Sequence, residues 1–226
     1  MLRDRGRADA GFGAVKLLVA AACIAIASGQ TPPKISAEEN AKRVAKRVLK
    51  PMRIKRGSKV ADVGCGDGFF TLPLARAVGK HGIVYAVDIS DTELAALRER
   101  LTKTKLKNVE VVRGLLDDPK LPEHALDRIL VANAYHEMTM PREMLGHMRS
   151  ALKPGGTIAV MEQIASDHID KTRAEQAAFH ELAPQIAKDE LIQAGFEIVA
   201  VRDHLIEQPD GKSWFFLVLA RRPGEK

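Results

Sequence analysis

The chain has 226 residues, of which 46% are hydrophobic and 28% are charged, and its formal net charge is +6. This length suits one domain with short appendages and is enough to bury a substantial core. The two cysteines, Cys23 and Cys65, lie in an N-terminal apolar run and in a glycine-rich turn, so we expect no fold that depends on a disulfide.

Positive charge is concentrated near the N-terminus. Residues 34–59 carry ten basic and two acidic residues, and residues 1–16 carry four basic and two acidic ones. Since the total is +6, residues 60–226 carry a net charge of −4. The net positive charge of the chain therefore comes from its N-terminal segment, residues 1–59. We expect no nucleic-acid partner for the rest of the chain.

Residues 1–30 have the pattern of a secretory leader. Basic residues precede an apolar run of eleven residues, 17–27, and small residues follow it. The pattern predicts a signal peptide cut near Gly29, or an N-terminal anchor if it stays uncut, although the run is short for a membrane span of roughly 20 residues. We therefore expect an exported or membrane-attached protein, periplasmic in a bacterium, with a cytoplasmic enzyme as the alternative.

Residues 31–58 are predicted to form a linker and a basic amphipathic helix. Ser36 and Glu39 have the spacing of a capping box at the helix start, and Pro51 is predicted to end the helix. Apolar residues share one helix face and basic residues the other. We expect the apolar face to pack on the domain; the alternative is contact with an anionic membrane surface through the leader and helix 37–50.

From residue 59 onward, apolar runs alternate with helical patterns, as in α/β proteins. The predicted strands are 60–63, 82–88, 109–113, 126–132, 157–162, 196–202 and 214–220. Residues 153–156, Lys-Pro-Gly-Gly, are predicted as a turn before the fifth strand. A short loop joins the last two strands, so the final strand is predicted to be antiparallel in a mostly parallel sheet.

A glycine turn follows the first strand. Gly64, Gly66 and Gly68 lead into a helical pattern, an arrangement that points backbone N–H groups and a helix N-terminus at a ligand. The dinucleotide fingerprint is G-x-G-x-x-G, but position 69 is Phe and the third glycine comes one residue early. The turn therefore differs from a dinucleotide site.

Acidic residues end the first two strands. Asp62 stands two residues before the first glycine, where a carboxylate suits a cationic amino-acid group better than a pyrophosphate. Asp88 ends the second strand, where a carboxylate can accept both hydroxyls of a ribose.

Five segments in this order resemble the successive motifs of class I S-adenosylmethionine (SAM)-dependent methyltransferases, and they are most similar to the group that contains the quinone-biosynthesis C-methyltransferases. The segments are 60–68, 85–90, 126–133, 152–157 and 194–199. The resemblance implies a Rossmann-like three-layer α/β/α sandwich at 59–222, with a seven-stranded sheet in the order 3-2-1-4-5-7-6 and a site at the carboxyl ends of the strands. It also implies SAM as cofactor and a small-molecule or lipid-like methyl acceptor.

The resemblance also implies which residues bind the cofactor. They are Asp62, Gly64, Cys65, Gly66, Gly68 and Asn133 on the methionine side, Asp88 at the ribose, and Ile89 at the adenine. One position departs from the family pattern, because Leu115 stands where many relatives have an Asp that meets the adenine amino group. Two alternatives remain for how the adenine is held: contact with Asp117 from a shifted loop, or apolar contact alone.

Tyr135, His136 and Glu137 follow the fourth strand, at the rim where acceptors lie in this family. His136 is the candidate base or acceptor-orienting group, because histidine titrates near neutral pH; a structural role in the loop is the alternative. The weaker candidates are Glu137, Glu162, His168 and His180.

Other chemistries are disfavoured. No Cys/His cluster has metal-ligand spacing, and H-E-x-x-H fails because position 140 is Met, so no metal is expected. Two further alternatives remain: an exported SAM-binding module that has lost turnover, and an NAD(P)-dependent enzyme, which Phe69 and Asp62 disfavour.

Overall fold

The structure is a computed structural model that describes residues 36–224. The predicted leader and the start of the predicted linker lie outside the described residues. The helices are α1 (Ala37–Met52), α2 (Thr71–Val78), α3 (Asp91–Thr102), α4 (Pro141–Ala151), α5 (Arg173–Ala178) and α6 (Pro184–Gln193). The strands are β1 (Lys59–Val63), β2 (Ile83–Asp88), β3 (Val109–Arg113), β4 (Leu126–Ala132), β5 (Leu152–Ala165), β6 (Glu197–Glu207) and β7 (Ser213–Arg221).

All seven strands form one sheet in the order β3-β2-β1-β4-β5-β7-β6. Strands β1 to β5 are parallel to one another, and β7 is antiparallel to both β5 and β6. This confirms the predicted fold, its strand order and its antiparallel last strand. The chain leaves β1 toward β2 and β3 and then returns to place β4 on the other side of β1. Ligands bind at such a reversal, beyond the carboxyl ends of the strands.

Helices cover both faces of the sheet. Strand β1 is buried from Val60 to Val63, as expected for a central parallel strand covered on both faces. The core on one face joins α4 and α6 to the sheet through Met144, Leu145, Met148, Ala187 and Leu191. The core on the other face joins α1 and α2 through Val44, Val48, Met52, Leu74 and Val78. A third, smaller cluster, which includes Ala86, Leu94 and Leu97, packs α3 on the sheet.

Helix α1 belongs to the body of the domain. The side chain of Ser36 accepts a hydrogen bond from the Glu39 backbone N–H at 3.1 Å, which caps the helix as predicted. The predicted end at Pro51 is wrong, because the helix runs through it to Met52. Proline keeps a helical φ, and Met52 is 1% exposed in the core, so burial holds the last turn. The apolar face packs on the sheet, as expected.

The predicted turn at 153–156 is wrong as well. Strand β5 begins at Leu152, opposite Leu126 of β4, and the register resumes with Thr157 opposite Arg128. The four residues 153–156 of β5 therefore lie opposite the single residue Asp127 of β4, and they form a bulge rather than a turn. Backbone hydrogen bonds between this bulge and Arg222 keep it within the sheet.

No helix among residues 36–224 combines the length and the apolar character needed to cross a membrane.

Candidate active site

The glycine loop lies at the carboxyl end of β1, beside the reversal of strand order. Gly64, Gly66 and Gly68 have φ values of +72°, +52° and +90°, a region that L side chains rarely adopt. The backbone N–H groups of Gly64 and Cys65 both donate to the Val87 carbonyl oxygen, at 2.8 and 3.0 Å. The loop is therefore anchored on the end of β2.

The three glycines have different spatial roles. A Cβ on Gly64 would lie 2.3 Å from the Ala134 Cβ, and a Cβ on Gly68 would lie 2.4 Å from Leu97 Cδ1 of α3. These two glycines permit close packing with the segment after β4 and with α3. At Gly66 the nearest atom to such a Cβ is Glu93 Oε2, at 3.7 Å. Space for a ligand against bare backbone is therefore found at Gly66.

Asp88 joins the glycine loop to the start of α3. Its Oδ2 accepts a hydrogen bond from the Gly66 N–H at 2.9 Å, and its Oδ1 accepts one from the Ser90 N–H at 2.8 Å. Ser90 in turn caps α3 by accepting from the Glu93 N–H at 3.3 Å. Each carboxylate oxygen keeps a further lone pair, so Asp88 can accept ligand hydroxyls without releasing either loop.

Asp62 lies beneath the loop. It is 1% exposed, and the Thr71 hydroxyl at the start of α2 donates to its Oδ2 at 2.6 Å. Burial raises the pKa of the Asp62 carboxyl to about 7; the Thr71 hydrogen bond opposes this shift and the nearby charge of Asp88 adds to it. A cation bound at the loop would favour the ionised form of this carboxyl.

The surroundings of the loop are acidic. Burial raises the pKa of Glu93, and the charges of Asp67 and Asp88 raise it further. Burial also raises the pKa of the Cys65 thiol, which argues against a nucleophilic role for this cysteine. The accumulated negative charge suits a ligand that carries positive charge.

Exposed apolar side chains follow the ends of β2 and β3. Ile89, Leu115 and Leu116 are 44%, 48% and 58% exposed, and Asp117 beside them is exposed too. The Gly114 N–H donates to the Asp88 carbonyl oxygen at 3.0 Å, which holds the two strand ends together. We call Ile89, Leu115 and Leu116 the apolar shelf; these exposed apolar side chains follow the ends of two neighbouring strands, near Asp88.

The segment after β4 begins with Asn133, whose φ is +53° and whose N–H donates to the Met161 carbonyl oxygen at 2.7 Å. Tyr135, which follows, is fully buried, and its hydroxyl donates to Glu190 Oε2 of α6 at 2.6 Å. Glu190 also accepts from Arg173 Nε at 2.8 Å. Burial, reinforced by Glu190, raises the pKa of the Tyr135 phenol, so this hydroxyl serves as a donor to α6.

His136 is buried against Glu162 of β5. Its Nδ1 lies 2.7 Å from Glu162 Oε2, while Glu162 Oε1 accepts the backbone N–H groups of Tyr135 and His136. Burial lowers the pKa of the His136 imidazole, but the hydrogen bond and the charge of Glu162 outweigh it and the net pKa is raised. Glu162, a weak candidate from the sequence, thus holds the whole turn.

The fold brings His180 to the turn after β4 and keeps His168 away from it. His180 Nδ1 lies 3.8 Å from Glu137 Oε1, and the rings of His136 and His180 meet edge to face at 5.6 Å. His168 instead lies 2.7 Å from Glu181 Oε2. No sequence spacing indicates the contact of Glu137 with His180, because α4, β5 and α5 lie between the two residues along the chain.

Comparison with known proteins agrees with this geometry. The sequence profile of a family described as "Methyltransferase domain" matches residues 60–156. A demethylmenaquinone methyltransferase of Listeria monocytogenes serotype 4a (strain HCC23) is 30% identical over 117 residues, which are 52% of this chain and 49% of the relative. The chain thus spans about half the length of the curated relatives it matches.

Solved structures match over most of the chain. A SAM-dependent methyltransferase from Aquifex aeolicus has a TM-score of 0.67 and 26% identity, and the match covers 83% of this chain and 99% of that one. The [4+2]-cyclase SpnF has a TM-score of 0.71 at 18% identity, over 87% of this chain and 86% of that one, which shows a shared fold. In its strand order and in residues 60–156, which include the glycine loop, the chain is thus similar to class I SAM-dependent methyltransferases.

Proposed function

We propose that this protein transfers a methyl group from SAM to a small-molecule or lipid-like acceptor. The observation that supports the proposal most strongly is the junction of Gly66 with Asp88, where open backbone and a carboxylate meet at the reversal of strand order. Fold likeness alone does not select this activity, since the SpnF structure is described as a cyclase. The proposal therefore rests on the site residues.

The residues present fit SAM as the cofactor. The Gly66 backbone has room for a ligand, Asp88 can accept ribose hydroxyls, and the apolar shelf suits an adenine. The acidic surroundings of the loop, with Asp62 beneath it, suit the positively charged methionine part. When bound, SAM supplies an electrophilic methyl group on a sulfonium.

The protein's own residues would contribute mainly by positioning. Methyl transfer is an in-line displacement, and the alignment of donor and acceptor supplies much of its rate. Glu162 orients the His136 ring at the carboxyl end of β4, next to the glycine loop. His136 would accept a proton from, or orient, an acceptor that carries one, and Glu137 would shape the rim around it. The buried Tyr135 would anchor the turn to α6.

The acceptor we propose is quinone-like. Support comes from the curated relatives named demethylmenaquinone methyltransferase, which the chain matches over about half of their length. Localisation is part of the same proposal: the leader pattern favours an exported or membrane-attached protein, periplasmic in a bacterium. The exposed basic side chains of α1, which include Lys42, Arg43, Lys46, Arg47 and Lys50, would then face an anionic membrane surface.

Calorimetric titration of the full-length protein with SAM tests the proposal, with NAD as the control ligand. We expect micromolar binding that Asp88→Ala and Gly66→Val both abolish. Incubation with radiolabelled SAM and a short-chain demethylated quinol should then yield labelled product. SAM binding without transfer to any acceptor would favour the module that has lost turnover, and NAD binding in place of SAM would favour the oxidoreductase.

A further inference from the structure

Three metal-ligating side chains converge beside the predicted acceptor position. His136 Nε2 lies 3.7 Å from Glu137 Oε1, and His180 Nδ1 lies 3.8 Å from the same oxygen. All three ligand atoms lie within 4.8 Å of one another. Two imidazoles and one carboxylate therefore surround a common point.

Within residues 36–224, the buried Nε2 of His136 is an unsatisfied acceptor at this common point. The side chain of His136 is 1% exposed, and its Nε2 has no hydrogen-bond partner among the described residues. Its Nδ1 is engaged with Glu162, so in the neutral ring the proton resides on Nδ1 and Nε2 presents a lone pair. A buried polar atom without a partner is rare in native proteins, and a cation at the common point would satisfy this one.

Glu162 supplies the outer contact that metal-binding histidines use. A histidine that binds a metal through one nitrogen nearly always donates its other N–H to a carboxylate, a backbone carbonyl or water. The 2.7 Å contact between His136 Nδ1 and Glu162 Oε2 has this form, and Glu162 is itself completely buried. The ring is thus held with Nε2 facing Glu137 and His180.

The spacing of the ligand atoms is close to that of a bound zinc ion. Zn–N and Zn–O bonds of about 2.1 Å at tetrahedral angles place ligand atoms about 3.4 Å apart. The two distances to Glu137 Oε1, 3.7 and 3.8 Å, exceed this by a few tenths of an ångström. Glu137 and His180 are about half exposed, so small side-chain rotations can close the gap.

We propose that His136, Glu137 and His180 form a site for a divalent transition-metal ion of the zinc type. Imidazole and carboxylate ligands suit Zn²⁺, Co²⁺ or Fe²⁺, whereas Mg²⁺ and Ca²⁺ prefer oxygen ligands alone. The site revises the sequence-based expectation that the chain carries no metal. Three protein ligands leave a position open for water or for an acceptor oxygen. With the ion bound, the Nε2 lone pair of His136 is in use, so the ion rather than His136 would orient the acceptor. This use rests on the proposed function, whereas metal binding does not.

Metal titration of the full-length, tag-free protein tests the site. Co²⁺ is added while the ligand-field absorption of tetrahedral cobalt is followed, and Zn²⁺ binding is measured by equilibrium dialysis with elemental analysis. We expect one metal ion per chain. Glu137→Gln and His180→Asn should each weaken binding by about tenfold or more, since the first removes the charge of the oxygen ligand and the second removes an imidazole.

The chain offers a matched control for the histidine change. His180 and His204 both have left-handed backbone, with φ of +58° and +48°, which Asn tolerates. His204 also faces a carboxylate, Glu207 Oε1 at 2.7 Å, and is exposed. His204→Asn should bind metal as the wild type does, and circular dichroism should show all variants folded.

Two outcomes would overturn the proposal. The first is a wild-type protein that binds Co²⁺ and Zn²⁺ no more tightly than the His180→Asn variant. The second is an equal loss in His204→Asn, which would mean that surface histidines bind the metal nonspecifically. SAM affinity plays no part in these measurements, so failure of the metal site and failure of the proposed function stay distinguishable.

Discussion

The Glu162 carboxylate of β5 and the His136 ring after β4 form a buried pair, with Oε2 and Nδ1 2.7 Å apart. The other carboxylate oxygen accepts two consecutive backbone N–H groups of the same turn, those of Tyr135 and His136. One acidic side chain on a neighbouring strand thus sets the position of the turn that carries the candidate acceptor-facing residues.

Replacing Glu162 should destabilise the fold. In Glu162→Gln one amide oxygen cannot satisfy three N–H donors, so we expect the free energy of unfolding to fall by about 2–3 kcal/mol in urea titrations. Since Glu162 raises the pKa of His136 above 6.5, the stabilisation from the charged pair is fully present below that pH and is lost as the pH rises through the raised pKa. The loss should therefore be larger in mildly acidic than in alkaline buffer.

Glu197→Gln provides the control for that change. Glu197 pairs with Arg221 across β6 and β7, and both side chains are about half exposed. Exposed ion pairs contribute about 0–1 kcal/mol, so this variant should stay near the wild type. Similar losses in the two variants would contradict a special role for Glu162.

Gly64→Ala should cost more stability than Gly57→Ala. Both positions have positive φ, +72° and +85°, so in both variants the left-handed backbone should lower the free energy of unfolding by about 1 kcal/mol. Only the Cβ at Gly64 meets a neighbour, Ala134 Cβ at 2.3 Å, while at Gly57 no atom lies within 4 Å. We expect an additional loss of about 2 kcal/mol at Gly64 in urea unfolding; equal losses would refute close contact between these two loops.

Asp88→Asn should weaken SAM binding by about 10- to 100-fold, because a neutral amide replaces a charged acceptor of ligand hydroxyls. The amide oxygen can still accept from one backbone N–H, so the fold should survive. Asp91→Asn is the matched control, since its carboxylate is 84% exposed and pairs with Arg113. Calorimetry that finds equal SAM affinity in the two variants would remove Asp88 from the cofactor site.

Asp62 should make the stability of the protein depend on pH. Its pKa is raised from 3.8 to about 7, so its contribution is fully present below pH 3.8 and is lost as the pH rises toward about 7. Asp62→Asn should lack this decline, which amounts to at most about 1.4 kcal/mol per pH unit. The measurement is the free energy of unfolding of both proteins across that range. Parallel pH profiles would show that Asp62 is ionised in the folded protein.

SAM affinity should also depend on the ionisation of the Asp62 carboxyl. A cationic cofactor near Asp62 favours the ionised carboxyl, so wild-type affinity should increase as the pH rises through about 7. In Asp62→Asn this increase should disappear. A pH-independent affinity in the wild type would indicate that the cofactor's positive charge lies away from Asp62.

The sequence by itself determined the alternation of strands and helices, the glycine loop and its flanking acids. These features are local: a buried parallel strand reads as an apolar run, and the φ values at Gly64, Gly66 and Gly68 favour glycine in any context. The caps at Ser36 and Ser90 are local too, and the sequence predicted the one at Ser36. With the family resemblance, these patterns were enough to predict the strand order.

Only the tertiary structure decided what depends on contacts between distant segments. Pro51 predicts a helix end, but burial of Met52 extends α1 through it. The Lys-Pro-Gly-Gly segment predicts a turn, but backbone pairing with Arg222 holds it in β5. The meeting of His136 and Glu137 with His180 has the same origin. Side chains from separate segments come together because β4 and β5 are neighbours in the sheet, and no spacing along the chain encodes their distance.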